Sequence, residues 1–466
     1  MQDFDVIVIG AGPGGYVAAI KAAQLGKSVA CIDTSNFLGG TCLNQGCIPS
    51  KTLLNSSYKY YETLHKLEEH GISCTSVEFS LSKMMERKDT IVSTLGKGIE
   101  GLFKKNKVAL FKGRGSFISS NEIKITQKQN DIESSIRGKN IIIATGSQPI
   151  SLPNIAIDEK FIFSSTGALA LPSVPGEMII LGGGVIGLEM GSIWSRLGAK
   201  VTIIEYAEKI MGNSDTEIAK EAQKILEKQG INFLLKTKAI SASINDNVVS
   251  LNIDINGNIE TKKADVILVA VGRKAYVEGL ALENVGIVLD KYGKIPVDSS
   301  FKTSRENIFA IGDVISGPML AHKASEEGIA VAEIIAGQHG HVNYSAIPSV
   351  IYTHPEIASV GATEDQLKSR GIEYNIGKFP FVANSRARTT AETEGFVKII
   401  ACKKTDEVLG AHIIGPCAGE LITEISLGIE FKAASEDIAR TSHSHPGFSE
   451  AVKEAALAAF SKPIHI

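Results

Sequence analysis

The chain of 466 residues lacks any run of about eighteen uninterrupted apolar residues, the length a membrane-crossing helix requires. Its most apolar window, 178–194, is broken by glycines and by Glu189, so a buried strand followed by a helix accounts for it. An excess of one charge is also missing. The 48 basic residues, spread along the chain, stand against 51 acidic ones for a formal net charge of −3, which argues against a nucleic-acid-binding or polybasic membrane surface. Cysteine is scarce at six residues, which excludes a disulfide-stapled secreted scaffold and points to a reducing compartment. Four of the six, Cys31, Cys74, Cys402 and Cys417, are scattered and are expected to be buried structural thiols. No basic segment, cleavage site or Arg/Ser-rich transit peptide precedes the first apolar run. The expected location is therefore the cytoplasm, or the mitochondrial matrix if a presequence has been removed. With 44% hydrophobic and 21% charged residues and no low-complexity linker, two to four domains with real cores are expected.

What is present is one phosphate-binding device, twice. Residues 5–10 form a β-branched apolar run that leads into Gly10-x-Gly12-x-x-Gly15 and then a helical pattern over 16–25. Strand, tight glycine turn and helix in that order let backbone N–H groups and a helix N-terminus face a pyrophosphate. A second strand over 28–32 ends at Asp33, an acid placed to accept hydrogen bonds from a ribose diol. The same grammar returns at 178–181, Gly182-x-Gly184-x-x-Gly187, a helix to Leu197, a strand over 200–204 and then Glu205. Two fingerprints predict an α/β protein with two Rossmann-like units and two dinucleotides. Glu205 repels a 2′-phosphate, and Tyr206-Ala207-Glu208 supplies no arginine to neutralise one, so NAD is expected in preference to NADP.

Between and after these units the pattern predicts helices around 52–66 and 81–104, a polar β-rich segment over 240–262, and apolar strands running into Thr145-Gly146-Ser147, into Gly272-Arg273 and into Gly312-Asp313. The terminal Asp313 could hold a polyol hydroxyl. From Tyr344 onward strands and helices alternate without glycine fingerprints, as in a domain that binds no nucleotide.

Cys42 and Cys47 lie in Gly-Gly-Thr-Cys-Leu-Asn-Gln-Gly-Cys-Ile-Pro-Ser-Lys (39–51), at a predicted helix start just beyond the first nucleotide unit. A disulfide between them would close too small a loop to add much stability, and zinc usually wants C-x₂-C spacing with a second ligand pair. A redox couple fits better, because a helix start is expected to lower a thiol pKa and favour the thiolate. Near the C-terminus Ser442-His443-Ser444-His445-Pro446-Gly447-Phe448-Ser449-Glu450 places a carboxylate in the first turn of a helix, where it can orient the His445 ring. Two histidines at i, i+2 beside a glutamate could also be metal ligands. No further ligand cluster appears, so no metal is expected, and acid–base work for thiol–disulfide exchange is the better reading.

Taken in order, the first fingerprint, the cysteine segment ending in Lys51, the second fingerprint with Glu189 and Glu205, Gly312-Asp313 and the His445/Glu450 turn resemble the flavoprotein disulfide reductase family, over nearly the whole chain. The cysteine segment, Met319-Leu-Ala-His322-Lys-Ala-Ser-Glu-Glu-Gly328 and Tyr352-Thr-His-Pro-Glu356 are similar to the branch that oxidises dihydrolipoamide. The resemblance implies an FAD domain with the redox pair (1–147), an NAD domain (148–273), a central domain completing the flavin site (274–343) and an α+β dimerisation domain (344–466).

On the same resemblance, FAD would lie along Gly10, Gly12, Gly15, Asp33, Gly40, Thr41, Cys42, Lys51, Gly115, Thr145, Gly146, Ser147, Asp313, Met319, Leu320, Ala321 and His322. NAD would lie along Gly182, Gly184, Gly187, Glu189, Glu205, Ala239 and Gly272. Asp33 is one methylene shorter than the glutamate usual there but should still reach the ribose. The implied roles are Cys42 for exchange, Cys47 for the flavin side, Lys51 paired with Glu189 beside the flavin, and His445, held by Glu450, acting as base across a homodimer interface. Implied partners are lipoyl domains and the acyltransferase core of 2-oxoacid dehydrogenase complexes, or a glycine cleavage complex. A glutathione reductase-like enzyme would want basic residues in place of Glu205 and Tyr206. Mercuric and large thioredoxin reductases would want a C-terminal thiol pair that Ser461-Lys-Pro-Ile-His-Ile466 does not provide. A non-catalytic assembly subunit would not need every one of these positions filled.

Overall fold

A computed structural model describes residues 2–127 and 133–466, and the chain separates into two compact units. The first gathers Met1–Thr52, Met85–Ile150 and Gly272–Val342; the second gathers Leu53–Met84, Ser151–Val271 and Asn343–Ile466.

In the first unit, β1 (Gln2–Ile9) is followed by α1 (Pro13–Gln24), β2 (Val29–Asp33), α2 (Gly40–Gln45) and the start of α3 (Cys47–His65). The apolar run 6–9 is fully buried because β1 is central: it pairs in parallel with β2 (Ile9 opposite Ile32) and with strand Glu133–Ile143 (Ile9 opposite Ile143). Strand Ile308–Ala310 pairs in parallel with Glu133–Ile143, bringing a distant stretch of chain to the same sheet. Strand Ala109–Lys112, parallel to β2, and two antiparallel strands, Glu122–Thr126 and Arg114–Ser119, complete it.

The second unit repeats the plan. Strands Asn232–Leu234, Lys200–Ile204, Glu177–Leu181, Val266–Val269 and Ile162–Phe163 lie side by side in one parallel sheet, with helix Val185–Arg196 following the second glycine turn. The polar β-rich segment is a three-stranded antiparallel sheet over Thr237–Asn245, Val248–Ile255 and Asn258–Ala264. Beyond Asn343 a five-stranded antiparallel sheet packs its apolar face against helices Ala418–Glu430 and Glu450–Phe460. This is the α/β and α+β combination expected. The helix expected over 52–66 begins five residues earlier, at Cys47, so the second cysteine is itself a helix N-terminal residue.

One buried ionic cluster ties residues of this unit that lie far apart in sequence. Lys398, with no side-chain exposure, contacts Asp215 at 3.0 Å, Glu217 at 3.3 Å and Glu364 at 2.6 Å, so the ammonium fills the space these three carboxylates enclose. Burial opposes ionisation of the three acids, yet His412 and Lys398 beside Asp215, Lys378 with Lys398 at Glu217, and Lys398 with Tyr374 at Glu364 hold them below their usual range. Acids with lowered folded pKa add stability above the ordinary carboxylate range and lose it as pH falls through their folded values. Lys398→Met would strand Asp215 as an unpaired buried charge and is expected to cost about 3–5 kcal/mol. Urea unfolding of the wild type and variant at pH 7 checks this, and the gap should narrow toward pH 3; equal midpoints at pH 7 would show that the cluster adds nothing.

Candidate functional site

The two glycine turns are built alike. Gly10 (φ +101°) and Gly182 (φ +108°) take a conformation that L side chains avoid. A Cβ on Gly15 would sit 1.8 Å from the Gly10 carbonyl oxygen, and one on Gly187 would sit 2.0 Å from that of Gly182. Each helix can therefore start hard against its strand only because these residues have no side chain. A Cβ on Gly184 would meet nothing within 4 Å, and one on Gly12 would meet only the Gly40 Cα, at 3.9 Å. Open space in front of helix N-terminal N–H groups is the shape a pyrophosphate needs, so both turns fit a dinucleotide.

The acids match as well. Asp33 accepts hydrogen bonds from the Ala11 N–H at 2.7 Å and the Ser35 N–H at 2.7 Å; Glu205 accepts from the Gly183 N–H at 2.7 Å and the Ala207 N–H at 2.8 Å. The shorter Asp33 thus makes the same pair of backbone bonds as Glu205. Each oxygen keeps a second lone pair for a ribose hydroxyl.

The cysteine segment is fastened to the first turn. Gly39 N–H donates to the Ala11 carbonyl at 2.8 Å, and Gly40 packs so closely that a Cβ there would lie 2.5 Å from the Gly12 Cα. Cys42 is the third residue of α2, Cys47 the first of α3, and both are half-buried. The hydrogen bond with Cys47 is the largest influence on Cys42; with burial and the nearby Cys47 charge it drives the Cys42 thiol far up, against the pull of Lys51. The expected helix-start lowering of the thiol pKa is therefore overturned at Cys42, where the sulfur–sulfur contact outweighs it.

Around this pair lies a network that the sequence did not announce. Arg273 Nε donates to Ser147 Oγ at 2.8 Å and Nη2 donates to the Ser147 carbonyl at 2.7 Å, while Ser147 Oγ donates to Asp313 at 2.5 Å. Burial lowers the Arg273 pKa, and the charges of Asp313 and Cys47 oppose that. Thr145 Oγ1 donates to the Tyr276 carbonyl at 2.5 Å, and Gly146 has a left-handed backbone (φ +75°).

Asp313 is itself placed by a wholly buried ion pair, Lys323–Glu327 at 3.0 Å. Lys323 Nζ donates to the Gly312 carbonyl and Glu327 accepts the Gly312 N–H at 2.7 Å. Met319 and Leu320 lead into helix Ala321–Ile335, whose first two residues are Ala321 and His322. Gly115 has a plain packing reason: a Cβ there would crowd Ile9 and Ile32 at 3.2 and 3.3 Å. Thr41 is exposed beside Cys42, and Lys51 lies one turn past Cys47 on α3.

In the second unit Glu189 is 3% exposed and accepts the Tyr352 N–H at 3.0 Å. Ala239 lies in strand Thr237–Asn245. Gly272 and Lys51 belong to the first unit, Glu189 to the second. His445 Nδ1 lies 2.9 and 3.1 Å from the two Glu450 oxygens, and the Gly447 N–H donates to the same carboxylate at 3.0 Å. With its proton on Nδ1 the largely exposed ring offers Nε2 as a base. Burial works against Glu450 ionisation, but the Gly447 N–H and His445 hold its pKa down.

His443 serves a different carboxylate: Nε2 lies 2.7 Å from Glu424, which raises its pKa, and Nδ1 lies 2.9 Å from the Thr441 carbonyl. The two histidines thus face separate acids rather than one metal-ligand cluster. The four scattered cysteines need correction too. Cys31 is buried, but Cys74 and Cys417 are exposed and Cys402 is half-buried, since composition alone does not place a thiol inside.

Residues 4–328 match the family model for pyridine nucleotide-disulphide oxidoreductases, and residues 347–456 match that family's dimerisation domain. The chain is 55% identical to a mitochondrial dihydrolipoyl dehydrogenase of Dictyostelium discoideum, covering 99% of this chain and 95% of the relative. It is 54% identical to dihydrolipoyl dehydrogenase 1, mitochondrial, of Arabidopsis thaliana (99% and 91%) and 52% identical to a leghemoglobin reductase of Glycine max (98% and 88%). Among solved structures, LpdA from Mycobacterium tuberculosis superposes with a TM-score of 0.91 at 26% identity, covering 98% of this chain and 99% of that one. The Cu(II) complex of the flavoprotein disulfide reductase RclA from Escherichia coli gives 0.87 at 27% identity, with the same coverage. The mitochondrial relatives go with the second compartment expected from the sequence and lend the cytoplasm no support. No helix among the described residues is long and apolar enough to cross a membrane.

Proposed function

Because the chain belongs to the pyridine nucleotide-disulphide oxidoreductase family, we propose that it works as a dihydrolipoyl dehydrogenase, oxidising dihydrolipoamide with reduction of NAD. The observation that carries this reading is the Cys42–Cys47 pair, in sulfur contact and fastened to a dinucleotide turn, in a chain more than half identical to enzymes of that name. Bound FAD supplies the two-electron chemistry that joins the dithiol to NAD.

The residues supply the rest. One dihydrolipoamide thiol gives its proton to Nε2 of the partner subunit's His445, and the thiolate attacks Cys42 of the oxidised pair, releasing Cys47 as thiolate. The second substrate thiol closes the lipoamide ring and leaves Cys42 reduced, so one disulfide forms as another breaks. Glu450 holds the imidazole through Nδ1 and stabilises the imidazolium. Lys51 keeps positive charge one turn from Cys47, and its pairing with Glu189 belongs to this reading.

The other expected site residues line the two dinucleotides. The same reading divides the chain into FAD (1–147), NAD (148–273), central (274–343) and interface (344–466) parts. The dimerisation-domain match supports a homodimer, with lipoyl domains and an acyltransferase core of a 2-oxoacid dehydrogenase or glycine cleavage complex as partners, in the mitochondrial matrix.

NAD reduction by dihydrolipoamide, with NADP and glutathione as controls, tests this directly; turnover of glutathione with NADPH would favour the glutathione reductase-like alternative. Glu205 is the main obstacle to that alternative, since its carboxylate is locked onto the second glycine turn. Replacing Glu205 with Val and Tyr206 with Arg should raise the KM for NAD about tenfold, or ~1.4 kcal/mol, and improve use of NADP. Unchanged cofactor preference would show that Glu205 does not read the ribose.

A further inference from the structure

At the far end of helix Val185–Arg196 from its glycine turn, a cleft of about 270 Å³ opens within the second unit. Arg196 lines it together with Tyr60, Tyr61, Leu64, His65 and Leu197. The size is close to the lower end of ordinary small-molecule sites, roughly 300 Å³. Nothing in the dihydrolipoamide reaction calls on it.

Arg196 is the unusual member. It is only 8% exposed, its Nη2 is buried without a hydrogen-bond partner, and no carboxylate among the described residues pairs with it. Its nearest compensation is the face of Tyr58, 5.3 Å from the guanidinium carbon to the ring centroid. The Tyr58 hydroxyl is already engaged, 2.7 Å from His354 Nε2 and 3.2 Å from Lys66 Nζ. Burial lowers the Arg196 pKa to about 10, which still leaves the group charged at neutrality. The other buried guanidinium discussed above, Arg273, spends its donors on Ser147. A buried cation with an unpartnered nitrogen is costly to keep, and an anion reaching Arg196 from the cleft would relieve that cost.

We propose that this cleft binds a small organic carboxylate, whose oxygens accept from the Arg196 guanidinium and whose apolar body lies against Tyr61, Leu64 and Leu197. A monoanion matches a single guanidinium, whose planar fork fits a carboxylate, whereas a phosphate dianion would call for further fixed cations. Two tyrosines and two leucines in the walls favour an acid with an aromatic or branched aliphatic body over a bare anion.

Isothermal titration calorimetry of the holoenzyme with benzoate tests the assignment, with acetate and inorganic phosphate as comparisons. Benzoate should bind once per chain with a Kd of about 10 μM to 1 mM, acetate at least about tenfold more weakly, and phosphate not measurably. Arg196→Gln should weaken benzoate at least about tenfold. Leu64 stands at the rim and is 45% exposed, so Leu64→Trp can fill the cleft without disturbing the core, and it should also abolish binding. If Arg196→Gln does not fold, Leu64→Trp decides the matter alone. Absence of saturable benzoate binding, tighter binding of phosphate, or benzoate binding unchanged in every variant that folds would each overturn the proposal.

Discussion

Cys42→Ser is expected to lower dihydrolipoamide-dependent NAD reduction by about a thousandfold or more, because a serine oxygen cannot take part in sulfur exchange and no other thiol stands beside Cys47 in the segment. Electron transfer from NADH to artificial acceptors bypasses the cysteines and should survive, which separates loss of exchange from loss of fold. The companion variant gives a chemical check. The hydrogen bond with Cys47 is the largest of the influences that raise the Cys42 pKa, so Cys47→Ser should free Cys42 to react faster with iodoacetamide at pH 7 than it does in the reduced wild type. Alkylation no faster than in the reduced wild type would mean that burial, rather than the sulfur contact, controls Cys42.

His445→Gln should cut the same activity by about a hundredfold or more, the scale on which a positioned general base contributes. Gln can hydrogen-bond to Glu450, so the turn held by the Gly447 N–H should persist while the proton acceptor is gone. The same pair allows a test of assembly. If the base acts across a two-fold interface, mixing inactive Cys42→Ser and His445→Gln homodimers and letting subunits exchange creates heterodimers with one site damaged twice and one intact. Activity should reappear as exchange proceeds. No recovery despite demonstrated exchange would mean that Cys42 and His445 work within one subunit.

Much of this site was legible because it is local. Each glycine turn, its strand, its helix and its acid fall within about thirty residues, and backbone geometry admits so few solutions that the second copy repeats the first, Gly10 to Gly182 and Asp33 to Glu205. His445 and Glu450 are five residues apart and meet as expected. The missed features are those in which charge is buried through long-range contacts. Lys398 meets Asp215 across 183 positions, and Arg273 reaches Ser147 across 126. Lys323–Glu327 is at i, i+4 but reads in sequence like a solvent-exposed helix pair, because nothing in its spacing says that Gly312 will be folded between the two charges. The Cys42 shift departs from the sequence-based expectation for a related reason: a helix start acts through its dipole, whereas the thiol responds most to one neighbouring sulfur.

The proposed reaction requires Cys42 and Cys47 to be the couple that dihydrolipoamide reduces. Mass-spectrometric mapping of differentially alkylated cysteines, before and after one equivalent of dihydrolipoamide under anaerobic conditions without NAD, tests this most directly. A Cys42–Cys47 disulfide is expected in the oxidised holoenzyme and two newly alkylated thiols at those positions afterwards, with the labelling of Cys31, Cys74, Cys402 and Cys417 unchanged. Labelling of Cys42 and Cys47 already complete in the oxidised protein, or a disulfide that dihydrolipoamide leaves intact, would contradict it.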